Sequence, residues 1–270
     1  MQIFDDFNKT FNTHWTQVTV GGGKLSLKNS VLRIGYEGSE DDKYTDAQLD
    51  DYTTIASNEY YWKSPLIMEV RARFSHKSVV GKNLLINNQC LKGTGGFGFW
   101  NKPFSMQGRW YTFPKSVWFF YSAPPSDMQL VAGSPGFGWK AQVVNTTLLS
   151  VLVNLIPLGI SVIFAKATGY TKLSRFWLQR FSGTQEVIIE EDMREWHDYT
   201  LEWKDDQVVF SVDKKKILKV PFSTKTPLGF VAWLDNEYAI ATAKGKIGFG
   251  KSKIGPQWLD IDSVKIKNIQ

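Results

Sequence analysis

The sequence predicts a single all-β sandwich domain interrupted by a helical apolar insertion. Three observations carry that expectation. Short alternating segments separated by Gly, Pro and Asn turns recur along most of the 270 residues, as sandwich strands require. Aromatic residues make up 14% of the chain, including 11 Trp and 18 Phe, and such residues favour strands. One stretch, 141–165, holds no charged residue and breaks the alternation.

Taken in order, Lys24 to Lys28 and Val31 to Gly35 read as strands joined at Asn29-Ser30. Tyr44 to Tyr52 holds the next strand. Leu66 to Phe74 alternates Met68, Glu69, Val70, Arg71, Ala72 and Arg73, which gives one dry and one wet face. Gly95 to Trp100 and Val117 to Tyr121 follow. His197 to Trp203 and Val208 to Val212 form a hairpin around the polar tip Lys204 to Gln207. Leu228 to Leu234, Lys246 to Gly250 and Trp258 to Lys265 complete the set.

Composition narrows the function. The formal charge of +6 comes mainly from dispersed lysines, and the run Lys214 to Lys216 reads as a solvated turn. No helix-turn-helix, RNP-like strand or zinc spacing is present, so no nucleic-acid partner is expected. Cys90 is the single cysteine and forms no internal disulfide. His14, His76 and His197 are scattered, so neither a metal site nor a cofactor is expected. Met1 to Phe7 lacks the basic start and apolar run of a leader, which predicts a cytoplasmic protein or one whose leader has been removed.

The insertion covers 146–182. Leu148 to Phe164 is long enough for a crossing, which takes roughly 20 apolar residues. A single crossing, however, would separate strands that must pair in one sandwich. Pro157 and Gly159 predict two short helices with a bend. Lys166, Lys172, Arg175 and Arg180 then interleave with Leu173, Phe176, Trp177, Leu178 and Phe181, the mixture found where a helix lies in a membrane interface. Two readings stay open: a lid over the sandwich, or peripheral docking of 148–181 on a membrane surface.

Several motifs, in order, resemble glycoside hydrolase family 16. They are Tyr44-Thr45-Asp46-Ala47-Gln48-Leu49, Met68 to Arg73, Gly96-Phe97-Gly98-Phe99-Trp100, the Trp196 to Asp213 hairpin and the closing Trp258 to Ile266. The resemblance spans roughly 20–267 and implies a concanavalin A-like jelly-roll β-sandwich. The family's catalytic strand reads Glu-x-Asp-x-Glu, which lines three carboxylates on one face. Here the corresponding strand is Ser116-Val117-Trp118-Phe119-Phe120-Tyr121, with no acid on either face. The family's double displacement does not transfer.

Substitute acids exist. Asp46, Gln48 and Asp50 alternate on one face; Asp127 follows Pro124-Pro125-Ser126; Asp235 and Asn236 follow Ala232-Trp233-Leu234. The bland alternative for each acid is a turn cap or a surface charge, and Glu190, Glu191, Asp192 and Glu195 read as solvated. Trp100, Trp118, Tyr121, Trp139 and Trp233 are the candidates for lining a cleft, with Gln48, Asn101 and Asn236 as polar anchors.

Three functions compete. The first is a binding protein for a glycan, glycolipid or other apolar or amphipathic small molecule in an aromatic groove. The second is an enzyme using Asp46, Asp50, Asp127 or Asp235, hydrolysing glycosides or rearranging an apolar substrate by acid catalysis. The third is a membrane-attached interaction module with a vestigial groove.

Overall fold

A computed structural model describes residues 1–8, 10–38, 43–54, 59–79, 90–102 and 112–269. Two antiparallel sheets face each other. The first contains β1 (Gln2–Asp5), β3 (Gly23–Lys28), β4 (Val31–Tyr36), β6 (Leu66–Phe74), β12 (His197–Trp203), β13 (Val208–Val212), β14 (Lys215–Val220) and β18 (Gln257–Asn268). Its order is β14-β13-β12-β6-β18-β4-β3, with β1 also pairing β18. The second contains β2 (Thr16–Val20), β5 (Asp46–Asp50), β7 (Thr94–Trp100), β8 (Lys115–Ser122), β10 (Gly138–Asn145), β11 (Thr184–Ile188) and β15 (Gly229–Asp235). Its order is β11-β10-β8-β7-β15-β5-β2. This is the jelly-roll sandwich that the alternation predicts.

Local chemistry explains the joins. Asn29 and Ser30 both take positive φ, 52° and 58°, the backbone of a tight hairpin turn. His197 Nδ1 and Asp213 Oδ2, 2.6 Å apart, tie the β12–β13 hairpin together. Lys215 and Lys216, expected in a turn, instead begin the edge strand β14. A lysine-rich edge resists pairing with other chains. Between the sheets the rings interlock: Phe97 meets Trp139 at 5.8 Å and Tyr199 at 5.1 Å, and Phe119 meets Phe210 at 5.3 Å. Such contacts add to the large apolar area each ring removes from water.

A small third sheet forms a flap of β9 (Asp127–Met128), β16 (Glu237–Ala241) and β17 (Ile247–Lys251). The insertion consists of α1 (Leu148–Thr168) and α2 (Lys172–Ser182). Thr147 and Ser150 cap α1 reciprocally, and Gly169 in the left-handed conformation (φ 77°) ends it, because only glycine adopts that cap without steric cost. The break into two short helices expected at Pro157 and Gly159 does not occur. α1 runs unbroken through both residues, losing the one backbone bond that proline cannot donate, and the chain turns at Gly169 instead.

Candidate functional site: an aromatic floor between two buried polar groups

The outer face of the second sheet follows from strand periodicity. Ala47, Leu49, Phe97, Phe99, Val117, Phe119, Phe230 and Ala232 enter the core between the sheets, so their neighbours face outwards. Asp46, Gln48 and Asp50 on β5 therefore share the outer face with Trp233 and Asp235 on β15. The same face carries Trp100 on β7, Trp118 and Phe120 on β8, and Lys140 and Gln142 on β10. Register places Lys140, Phe120, Gly96, Trp233 and Gln48 in one row, and Gln142, Trp118, Gly98, Val231 and Asp50 in the next.

Aromatic rings fill the centre. Trp118 stacks on Phe120 at 5.1 Å and 19°, and lies 5.2 Å from Trp233 and 5.9 Å from Trp100. Gly98, at φ 146°, sits beneath Trp118, where an added Cβ would come within 2.5 Å of the Trp118 Cα. Each indole N–H is already used. Trp118 donates to Gln142 Oε1 (2.8 Å), Trp233 to Thr94 Oγ1 (3.2 Å) and Trp100 to the Tyr52 hydroxyl (2.6 Å). What the floor offers a ligand is ring surface, not donors.

A buried acid group lies on one side. Asp46 and Asp235 are cross-strand partners, only 5% and 8% exposed. Burial and the neighbouring Glu237 push the Asp235 carboxyl up to about 7, against hydrogen bonds from Thr94 and the Glu237 amide. Burial also raises Asp46 well above the usual carboxylate range, helped by the charges of Asp235, Glu237 and Asp50. Two carboxyls this close cannot both ionise cheaply. Among the described residues, Asp46 Oδ1 has no hydrogen-bond partner.

A buried ion pair lies on the other side. Lys140 Nζ is 2.7 Å from Glu186 Oε1, with side-chain exposures of 2% and 1%. Gln142 Nε2 donates to Glu186 Oε2 at 2.6 Å, so a continuous chain runs from Lys140 through Glu186 and Gln142 to the Trp118 indole. Desolvation holds the Lys140 ammonium below its ordinary value despite Glu186.

Several expected site residues sit elsewhere. Tyr121 and Trp139 are fully buried between the sheets, on the opposite phase of the alternation from Trp118, and Tyr121 donates to the Leu91 carbonyl. They belong to the core, not to a cleft. Asn101 and Asn236 brace loops: Asn101 bonds Phe113 O and Lys115 N, and Asn236 bonds Thr45 N, Lys43 O and Ser252 O. Both amides are thus engaged by backbone groups of these loops. Asp50 caps its own turn, accepting from Tyr52 N, Thr53 N, Thr53 Oγ1 and Gln48 Nε2. Asp127 stands on the flap and accepts from Gln129 Nε2 with both oxygens. Sequence reasoning missed Phe120, Tyr52, Lys140, Gln142, Glu186 and Glu237. Only the alternation on β8 could have signalled one of them, Phe120.

No protein-family model matches the sequence, and no curated protein matches it. Solved structures do. The endo-β-1,3-glucanase from Pyrococcus furiosus is 12% identical with a TM-score of 0.51, over 98% of this chain and 92% of that one. A β-1,3-1,4-glucanase (lichenase) derived from a mouse hindgut metagenome is 11% identical with a TM-score of 0.50, over 99% of both chains. The chain shares their fold. A glycosyl hydrolase family protein from Mycobacterium fortuitum, 14% identical over 98% of both chains, shares it with a TM-score of 0.50. The concanavalin A-like sandwich implied by the motifs is thus the observed one.

Proposed function

We propose that this protein binds an amphipathic, sugar-bearing ligand on the aromatic floor of a glucanase-type sandwich. The observation that carries the reading is the Trp118, Phe120, Trp233 and Trp100 cluster on the outer face, with all three indole N–H groups used internally. Flat ring surface suits sugar faces and hydrocarbon alike. Support for a glycan component comes from the fold, whose similar solved structures are glucanases.

Cleavage by one carboxylate from each side of the floor finds no support among the described residues, and the adjacent Asp46 and Asp235 are both raised by burial and by each other's neighbourhood, which opposes their joint ionisation. Glu186 and Asp235 stand four strands apart, about 19 Å at the usual strand spacing, well beyond the separation glycosidases use. Glu186 is also committed to Lys140. A second reading, proton transfer to an apolar substrate, is favoured by one observation. Asp235, held at about 7 beside Asp46, is a carboxyl that can both give and take a proton near neutrality.

Fluorescence titration with an alkyl β-glucoside and with a soluble gluco-oligosaccharide tests the binding reading. We expect saturable quenching by the alkyl glucoside, and Trp118→Ala to weaken it by about tenfold, the upper range for one aromatic contact. If neither compound quenches, or if Trp118→Ala leaves the affinity unchanged, the groove is vestigial. Asp235→Asn separates the two readings: it preserves binding in both, and abolishes turnover in the second.

A further inference from the structure

α1 is built inside out. Its packed residues are small or polar: Asn154, Ser161 and Ala165 are buried, and Ser150 bonds the Phe181 carbonyl at the end of α2. Most of its large apolar residues face away, while Val151, Leu158 and Val162 are half-buried. Leu149, Leu152, Ile156, Ile160 and Ile163 are each 64–71% exposed. At 100° per residue these five positions fall within an arc of about 80°, and from 149 to 163 they run about 21 Å along the helix at 1.5 Å per residue. A lid would turn those side chains down onto the sheet. Small residues at the helix–helix contact and branched apolar residues outside are the pattern of a helix pair solvated by lipid.

A second segment extends the surface independently. The β16–β17 turn reaches α1, where a Cβ on Gly245 would lie 2.6 Å from Val162 Cγ1 and 3.6 Å from Lys166 Cε. Just beyond it, Ile247 and Phe249 are 77% and 73% exposed, flanked by exposed Lys244 and Lys246. α2 adds Leu173 and Phe176, each 43% exposed, alongside Lys172 and Arg180, also exposed. Apolar side chains rimmed by cations match the acyl boundary and anionic headgroups of a bilayer.

Topology sets the orientation. The insertion leaves after β10 and returns into β11, whose residues Val144 and Thr184 are paired. Both ends therefore lie at one corner of the sheet. α2, at 11 residues, spans only about 17 Å and cannot recross a bilayer core. We infer that α1, α2 and the Ile247/Phe249 strand together dock the protein in the plane of an anionic membrane surface, with the sandwich entirely on one side.

Flotation of the full-length protein with vesicles tests this, using phosphatidylcholine alone and phosphatidylcholine doped with phosphatidylserine. The expected result is flotation that the anionic lipid strengthens, by about fivefold for each cation at the surface. The double change Leu152→Glu/Ile156→Glu should lower partitioning by at least about tenfold, and Ile247→Glu/Phe249→Glu should lower it independently, since burying each side chain contributes strongly. All four positions are exposed, so circular dichroism should stay native. Native protein that fails to float, or variants that float equally well, would overturn the inference. So would sedimentation showing a native dimer that the same substitutions dissociate without any lipid binding, because a second copy would then cover the face. These outcomes leave Trp118 and its ligand untouched, so the two proposals fail separately.

Discussion

Asp235→Asn is expected to stabilise the protein at pH 8 and to leave it nearly unchanged at pH 4. The folded carboxyl titrates at about 7, against an ordinary value of 3.8. Between those values the folded state holds a proton that the unfolded state has released. Stability tied to this group is fully present below about pH 4 and is lost as pH rises through 7. Three units correspond to something on the order of 4 kcal/mol for so buried a group. Asparagine mimics the protonated form and keeps an oxygen for Thr94 and the Glu237 amide, so it escapes the loss. At a few degrees per kcal/mol, the melting temperature at pH 8 should rise by roughly 10 °C. The depressed carboxyls do not mask this. Asp192, drawn down to about 2 by Arg194, changes stability only below pH 4 and in the opposite direction. Parallel melting curves for the native protein and the variant from pH 4 to 8 would show that the Asp46–Asp235 pair is ionised in the folded state. The proton-transfer reading would then lose its basis.

The strands carried by alternation were legible because one face met water. Met68 to Arg73 shows this best, with Glu69, Arg71 and Arg73 pointing away from a core that takes Met68, Val70 and Ala72. The second sheet is harder, since both its faces are apolar along β8. Alternation splits Trp118 and Phe120 from Phe119 and Tyr121, but nothing local says which set enters the core, so Trp118 and Tyr121 were both plausible as cleft residues. β10 was hidden for a related reason. Its Ala141 to Asn145 half runs without a charge into α1, and its one lysine is buried. The partner of Lys140 is Glu186, 46 residues away, and only the return of the chain after the helical insertion brings them together. Asp50 is the turn cap that the sequence offers as the alternative to a catalytic acid, accepting from the Tyr52 and Thr53 amides and from the Thr53 and Gln48 side chains.

That buried pair is the second place where a single change should have a large effect. Lys140→Met removes the only cation beside Glu186 among the described residues and leaves a carboxylate with 1% exposure. Breaking a buried pair from one side costs about 3–5 kcal/mol, so calorimetry should show a melting temperature lower by about 10 °C. Glu186→Gln should be milder. The Lys140 ammonium is already depressed by desolvation and can release its proton when the acid is gone, and the Pro135 carbonyl remains as a partner. The double change Lys140→Met/Glu186→Gln should recover most of the loss, because no unpaired charge is left buried. The pair also orients the aromatic floor. Glu186 fixes Gln142 at 2.6 Å, and Gln142 Oε1 holds the Trp118 indole at 2.8 Å. Lys140→Met should therefore alter the near-ultraviolet circular dichroism of the tryptophans, while a surface change such as Lys216→Met should not. If Lys140→Met melts within about 2 °C of the native protein and its tryptophan spectrum is unaltered, the ion pair is not what positions Trp118. The ring would then be held by Phe120, Trp233 and Trp100 packing alone.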